Sequence, residues 1–237
     1  IDWKLYARTE KIYVKEYEEE ASGNVLVLID KSNSMSYSSQ KINKLEYSKF
    51  LFASIFAVFT RQADNVGLCT FDSELKLNFN LSNSGNAIPE LNRILTDIQT
   101  DGGTSLDQIS KIRENFNNIQ ILFVISDFIL NEKAIFESIK ILKEFCDEVF
   151  LLHLIDPTEE IFNFVGEYIF YDSETNKELF LDASAISKYY QSYFKAHKEN
   201  IRRDAHSLDC RYFTLDLSKL YTENFMQIVS YLKSKVE

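Results

Sequence analysis

Short runs of consecutive apolar residues alternate along the chain with longer segments whose apolar residues recur at helical spacing. A short apolar run between polar residues is typical of a strand buried on both faces, and the longer periodicity is typical of an amphipathic helix. The predicted strands cover residues 25–29, 66–71, 119–125, 149–155 and 211–215. The predicted helices cover about residues 43–62, 87–99, 105–116, 132–145, 183–206 and 221–235. This alternation predicts an α/β fold with a doubly wound, mostly parallel central sheet flanked by helices.

Two segments depart from the alternation of strands and helices. Residues 75–79 alternate apolar and polar side chains after a short polar turn, which predicts an antiparallel strand at the edge of the sheet. Within residues 163–182, two further strand-like runs at 168–172 and 179–182 flank a polar turn. That pattern predicts a β-hairpin inserted beside the main sheet.

Composition and charge fit a globular domain and narrow the classes of partner. The chain has 237 residues, of which 45% are hydrophobic and 26% charged, enough for one sizeable α/β domain. The formal net charge is −10, and no cluster of basic residues stands out along the sequence. Nucleic acid is therefore not the expected partner, because its recognition depends on Lys and Arg contacts to phosphate. A basic protein or a bound cation fits this charge better.

The cysteines and the hydropathy pattern indicate in which cellular compartment the protein is expected. Cys69, Cys146 and Cys210 are far apart and odd in number, and no disulfide framework or zinc site is recognisable. We therefore expect a reducing compartment and a cytoplasmic location. No stretch approaches the roughly 18 consecutive apolar residues of a membrane span, and we expect no signal peptide. The chain opens at Ile1 without a methionine, so we expect a piece of a longer protein, and membrane association stays open if an anchor precedes residue 1.

Asp30, Ser32 and Ser34 directly follow the apolar run at 25–29. This strand would deliver a carboxylate and two hydroxyls into the loop at its carboxyl end, the edge where open α/β sheets bind ligands. Such a set offers only oxygen ligands, which suit Mg²⁺, Mn²⁺ or Ca²⁺ and not zinc. The alternative interpretation is a turn and helix-cap cluster, since Asp, Ser and Asn favour both.

Two further loops are expected at the same edge of the sheet. The strand at 119–125 leads to Asp127, and Gly102 and Gly103 precede Thr104 in a loop ahead of that strand. The glycines allow the backbone to approach closely in that loop. Because parallel strands end on one edge, we expect five oxygen-bearing side chains to face a common point: Asp30, Ser32, Ser34, Thr104 and Asp127.

This constellation resembles the metal-ion-dependent adhesion site of the von Willebrand factor A (vWA) domain, which combines Asp-x-Ser-x-Ser, a Thr and an Asp from three loops. The resemblance implies a Rossmann-like vWA fold. It also implies that Ser32, Ser34 and Thr104 bind the ion directly or through water. Asp30 and Asp127 would then act largely through bound waters or through hydrogen bonds to the ligating hydroxyls. One coordination position of such a site stays open for a carboxylate from a partner protein.

Several short motifs outside the metal loops resemble the DUF58 family in the same order along the chain. The resemblance implies an adaptor or substrate-recruiting partner of a MoxR-type AAA+ ATPase in a chaperone-like system. It divides the chain into an N-terminal segment, residues 1–22, that packs on a vWA-like domain, residues 23–237. The matching motifs are Ile1-Asp2-Trp3-Lys4, Ala7-Arg8, Val14-Lys15, Glu18-Glu19, Ile125-Ser126-Asp127-Phe128, Asp156-Pro157-Thr158-Glu159 and Tyr171-Asp172-Ser173-Glu174-Thr175.

The sequence therefore favours a Mg²⁺-dependent protein-interaction module over an enzyme. The alternative is a Mg²⁺-dependent phosphohydrolase that uses Asp30 as nucleophile or ligand. Phosphotransferases of the haloacid-dehalogenase type need a second Asp two residues later, and that position is Ser32. We also expect no Lys at the site that could bind a phosphate and no nearby His that could act as a base, and no Gly-x-Ser-x-Gly elbow occurs. His153 lies inside an apolar strand, as a core residue would.

Overall fold

The computed structural model describes residues 22–103, 111–112, 116, 118–171 and 177–234. The predicted N-terminal segment, apart from its last residue, lies outside the described residues. Most of the helix predicted at 105–116 lies outside them as well.

Six strands form the main sheet in the order β3-β2-β1-β4-β5-β8. Neighbouring strands are parallel except for β2 and β3, which pair antiparallel, so the predicted mostly parallel sheet with an antiparallel edge strand is confirmed. The predicted hairpin forms a separate two-stranded antiparallel sheet from β6 and β7. The strands are β1 (Asn24–Asp30), β2 (Asn65–Phe71), β3 (Leu75–Ser82), β4 (Ile119–Ser126), β5 (Cys146–Ile155), β6 (Glu167–Tyr171), β7 (Glu178–Asp182) and β8 (Arg211–Asp216).

Helices follow the strands as the periodicity predicts. Side chains of Asn43, Asn131 and Asp182 accept hydrogen bonds from backbone N–H groups in the first turns of α1, α3 and α5, which fixes where these helices begin. In the part of the chain that is described, no helix combines the length and apolar character needed to cross a membrane. The helices are α1 (Lys44–Thr60), α2 (Ile88–Asp97), α3 (Glu132–Lys143), α4 (Pro157–Ile161), α5 (Ala183–Ser207) and α6 (Tyr221–Lys233).

The central strand β1 is buried on both faces, as its unbroken apolar run predicts. Val25, Val27 and Ile29 contribute to a core that includes residues of α1, whereas Leu26 and Leu28 contribute to a second core that includes residues of α3 and α5. Each fully buried aliphatic side chain contributes about 1.5–3 kcal/mol through removal of apolar surface from water. The two cores therefore hold β1, and the loop that follows it, in a fixed position.

The order in which strands are added to the sheet reverses at β1 and β4. From β1 the chain continues outward through β2 and β3, whereas β4, β5 and β8 lie on the other side of β1. The loops that leave the carboxyl ends of β1 and β4 therefore diverge and leave a crevice between them. Crevices at such switch points are where open α/β sheets bind ligands.

Candidate metal site

Asp30 ends β1 and is fully buried at the crevice. Its Oδ1 accepts a hydrogen bond from the backbone N–H of Ser32 at 2.9 Å. Its Oδ2 accepts one from the hydroxyl of Ser126, the last residue of β4, at 2.6 Å. Burial, together with the nearby Asp127 carboxylate, raises the pKa of Asp30 to about 7. The carboxylate is therefore held in place from both strands while it lies in an environment that disfavours its negative charge.

Ser32 and Ser34 lie in the loop after β1, where a single turn of 3-10 helix runs from Asn33 to Ser36. Ser32 occupies the cap position of that turn, yet its side chain makes no cap hydrogen bond. Instead, its hydroxyl oxygen lies 3.0 Å from the hydroxyl oxygen of Ser34. Both side chains are buried. The hydroxyls therefore converge on each other and not on the helix backbone, an arrangement that favours a ligand-binding loop over the helix-cap interpretation.

Asp127 follows β4 and is buried beside Asp30. Its carboxylate accepts hydrogen bonds from the Ser34 hydroxyl and from the Lys44 ammonium, whose Nζ lies 2.9 Å from Oδ2. Burial alone would raise the pKa of Asp127, but the Lys44 charge outweighs it and holds the pKa below its usual value. The following residue, Phe128, has a φ of 49°, a left-handed conformation uncommon for a bulky side chain and typical of functional loops.

Lys44 is a site residue that the sequence interpretation missed, and the expectation that no lysine lies at the site is wrong. It is the first residue of α1, its side chain is fully buried, and its ammonium also lies 2.5 Å from the Glu159 carboxylate. Burial would lower the pKa of Lys44, but Asp127 and Glu159 reverse the effect and raise it. A sequence signal was present, because a cation in the first turn opposes the helix dipole and calls for an anionic partner.

Thr104, the fifth predicted ligand, lies outside the described residues. The part of its loop that is described does reach the metal loop. The backbone N–H of Asn33 donates to the carbonyl oxygen of Gly102 at 3.0 Å, and that of Asp101 donates to the carbonyl oxygen of Lys31 at 2.8 Å. Gly102 has a φ of 61°, a conformation that glycine adopts without strain. The glycine loop is thus bonded to the Asp-x-Ser-x-Ser loop.

Asp156 secures the far side of the metal loop. It follows β5, caps α4, and accepts hydrogen bonds from the backbone N–H of Ser39 at 2.7 Å and from the Ser39 hydroxyl at 2.6 Å. The Tyr37 hydroxyl lies 2.7 Å from the hydroxyl of Thr158. Burial would raise the pKa of Asp156, but the bonds from Ser39 and Thr158 lower it. Asp156 therefore caps α4 and also anchors the loop after Ser34.

Four of the five predicted ligands lie together: Asp30 and Asp127 as carboxylates, Ser32 and Ser34 as hydroxyls. Among the residues that the structure describes, no group of three or more His, Cys, Asp or Glu side chains could hold a metal ion. The candidate site does not form such a group, because it combines two carboxylates with serine hydroxyls. The donor set consists of oxygen atoms, which fits a hard divalent cation such as Mg²⁺.

Solved structures share this architecture at low sequence identity. BatB from Bacteroides thetaiotaomicron is 16% identical, with a TM-score of 0.58 over 90% of this chain and 98% of its own. An aerotolerance-related membrane protein from Bacteroides fragilis is 16% identical, with a TM-score of 0.57 over 88% of this chain and all of its own, 100%. The SpRpn10 VWA domain is 14% identical, with a TM-score of 0.53 over 87% of this chain and 95% of its own. At these identities the likeness concerns the fold, which is Rossmann-like and of the vWA type.

The family match covers most of the sequence. No curated protein matches the chain. Residues 1–200 match the family described as "Protein of unknown function DUF58". This range includes β1, β4 and all five predicted ligands. The chain belongs to the DUF58 family and has a vWA-like fold.

Proposed function

We propose that this protein is a metal-dependent protein-interaction module whose ion captures an acidic side chain of a partner. Asp30, Ser32, Ser34 and Asp127, together with Thr104, would hold Mg²⁺, with Mn²⁺ or Ca²⁺ as alternatives. The observation that carries the proposal is the pair of buried hydroxyls, 3.0 Å apart, set between two buried carboxylates at the switch point of the sheet. Neutral hydroxyls flanked by carboxylates suit a hard cation.

The charge balance of the site supports a bound cation. Asp127 lies close enough to Asp30 to disfavour the ionised form of Asp30, and Lys44 is shared between Asp127 and Glu159. A divalent ion would relieve this repulsion and would supply a positive centre with a coordination position for an incoming carboxylate. The protein contributes the preformed arrangement, since Ser126 and the backbone of Ser32 already fix Asp30.

Binding without catalysis is part of the proposal. Both carboxylate oxygens of Asp30 accept hydrogen bonds, from Ser32 and from Ser126, and the side chain is fully buried, which disfavours a role as nucleophile. Position 32 carries a hydroxyl where a phosphohydrolase of the haloacid-dehalogenase type needs a general acid. A phosphate ester assay in Mg²⁺ should therefore give no turnover above that of a Ser32→Ala variant.

For the partner, we propose a MoxR-type AAA+ ATPase that presents an acidic side chain. The resemblance to DUF58 proteins supports this class of partner. Because the net charge of the chain is −10, a bound metal ion would provide the positive charge that attracts a carboxylate of the partner. The cytoplasmic location stays a prediction.

The test keeps Mg²⁺ present throughout, because an ATPase itself needs the ion. The chain is immobilised, and its affinity for a MoxR-type ATPase is compared for the wild type, Ser32→Ala and Ser36→Ala. Ser36 is the matched control, since it lies in the same loop and its hydroxyl bonds the Asn33 carbonyl oxygen. We expect Ser32→Ala to weaken binding at least about tenfold and Ser36→Ala to leave it unchanged. Equal affinities of all three chains would count against the metal-dependent mechanism.

A further inference from the structure

We propose that the partner inserts an apolar side chain, phenylalanine or leucine, into a cavity beside Asp127, from a residue close in sequence to the acidic residue that reaches the metal. The proposal rests on the proposed function, and it specifies the chemistry of the partner. The described residues line a cavity of about 150 Å³ between the loop after β4 and the face of α5. Asp127 belongs both to this cavity and to the candidate metal site.

The cavity wall is mostly aromatic and aliphatic. Ile129 and Leu130 contribute from the loop after β4, and Tyr193 and Phe194 contribute from α5. Ile129 and Tyr193 are 49% and 59% exposed, so an apolar rim faces solvent. A cavity of about 150 Å³ with apolar walls holds a benzene-sized group, which matches the side chain of phenylalanine or leucine.

The charged end of the cavity does not call for a basic ligand. Asp127 and Glu159 both line it, but the buried Lys44 ammonium lies within hydrogen-bond distance of each carboxylate. A further cation would have to compete with that ammonium, whereas an apolar group only displaces water from apolar walls. An apolar occupant is therefore favoured.

The walls of the cavity are fixed in position in the absence of a ligand. The Nε2–H of His197 on α5 donates to the carbonyl oxygen of Phe128 at 2.9 Å, which ties the helix to the loop. The ring of Tyr190 stacks on that of Phe162 with 4.3 Å between centroids. A preformed cavity binds with less loss of conformational freedom than one that must open.

The shared residue Asp127 fixes the order of contacts. A carboxylate that reaches the ion lies beside Asp127, and an extended peptide advances about 3.3 Å per residue. Successive side chains of an extended peptide point to opposite faces, so the apolar side chain would belong to a residue two positions from the acidic one. The recognised element is an acidic residue and a phenylalanine or leucine separated by one residue.

Three short peptides test this pairing by NMR titration of the full chain in Mg²⁺ and in EDTA. In each peptide a single glycine separates the two test residues: the first has glutamate and phenylalanine, the second glutamate and serine, and the third glutamine and phenylalanine. We expect the first to bind about tenfold more tightly than either of the others, the size of a well-packed aromatic contact. Tyr193→Ala should remove the advantage of phenylalanine, and Tyr189→Ala should retain it, because Tyr189 is exposed on the same helix away from the cavity.

The outcomes separate this inference from the proposed function. Equal, Mg²⁺-dependent binding of both glutamate peptides would overturn the cavity assignment and leave the metal function standing. Binding of the first peptide that is insensitive to EDTA but lost in Tyr193→Ala would support the cavity and contradict the metal function. Tighter peptide binding by a Trp3→Ser variant would indicate that the chain's own N-terminal segment fills the cavity, which would overturn the assignment to a partner.

Discussion

Two regions of the molecule depart in opposite directions from the usual distribution of polar and apolar residues. At the carboxyl edge of the main sheet, polar and charged side chains such as Asp30, Lys44 and Asp127 are buried. On the β6–β7 hairpin, apolar side chains such as Ile169 and Phe180 are 59% and 65% exposed. A buried polar group or an exposed apolar group is more informative than the ordinary arrangement, because each costs free energy unless something compensates it.

The compensation differs between the two regions. Each buried charge at the sheet edge has named partners inside the chain: Ser32 and Ser126 for Asp30, and Lys44 for Asp127. The exposed hairpin residues pair with each other across the two strands but face solvent. The sheet edge therefore depends on an internal network that single substitutions should break, whereas the hairpin face should tolerate them.

The largest loss of stability is expected for Lys44→Met. The substitution leaves the Asp127 and Glu159 carboxylates buried without their shared cation, and removal of one partner of a buried ion pair costs about 3–5 kcal/mol. The matched control is Lys49→Met on the same helix, whose partner Glu46 is half-exposed. That control should cost less than about 1 kcal/mol. Urea unfolding of the two variants would contradict this interpretation if their losses were equal.

Asp156→Ala should have the next largest effect. The substitution removes the carboxylate that accepts hydrogen bonds from Ser39 and Thr158. Because hydrogen bonds to a buried charged group are strong, we expect the free energy of unfolding to fall by about 2–3 kcal/mol. Asp182→Ala is the control, because Asp182 also caps a helix but its side chain accepts its hydrogen bond, from the N–H of Ser184, in an exposed position. Loss of such a cap costs about 1 kcal/mol. Thermal unfolding measures both, and a larger loss for Asp182→Ala would show that the anchor of the metal loop is unimportant.

The pH dependence of stability should reveal the buried His153. Burial lowers its pKa to about 3, against a reference value of 6.5. As the pH falls below 6.5, the unfolded chain takes up the proton first, so stability decreases toward pH 3. Between about pH 7.5 and about pH 5 this group should account for about 2 kcal/mol.

The comparison of two histidine variants in EDTA isolates that contribution. His153→Gln should lose this part of the acid sensitivity, whereas His206→Gln, at an exposed position on α5, should keep it. Identical pH profiles for His153→Gln and the wild type would show that His153 does not titrate as its burial predicts.

The smallest effects are expected on the hairpin. Ile169→Ser and Phe180→Ser replace a cross-strand pair on the exposed face, and each should change the free energy of unfolding by less than about 0.5 kcal/mol. Phe170→Ser on the same strand is the control, because its ring stacks on Phe162 with 5.7 Å between centroids. It should cost about 1–2 kcal/mol. If the exposed pair proved as costly as Phe170, the hairpin face would have to be buried in solution.

The sequence predicted most of the fold because the apolar periods of strands and helices are strong. Predicted residues 66–71 and 183–206 correspond to Asn65–Phe71 and Ala183–Ser207. The predicted strands were too short where polar residues continue a strand. β5 begins at Cys146 and not at residue 149, since the polar Asp147 and Glu148 hide the start of the strand although the register with β4 begins at Cys146.

The site was predictable only in part. Asp30 and Asp127 follow from strand topology, because parallel strands end at one edge. Lys44 and Glu159 do not, because their contact depends on how α1 and α4 pack over that edge and on the reach of two long side chains. The aromatic cavity could not be predicted either, because it depends on how Tyr193 and Phe194 of α5 lie against the loop after β4.

Calorimetric titration of Mg²⁺ tests most directly whether the buried hydroxyls and carboxylates form a metal site. The wild type, Asp127→Asn and Asp72→Asn are compared, because Asp72 is a buried aspartate near the same edge that pairs with Lys31. We expect a single saturable site in the wild type and in Asp72→Asn, and an affinity at least about tenfold lower in Asp127→Asn. Absence of Mg²⁺ binding to the wild type, or equal affinity in all three chains, would contradict the proposed metal site.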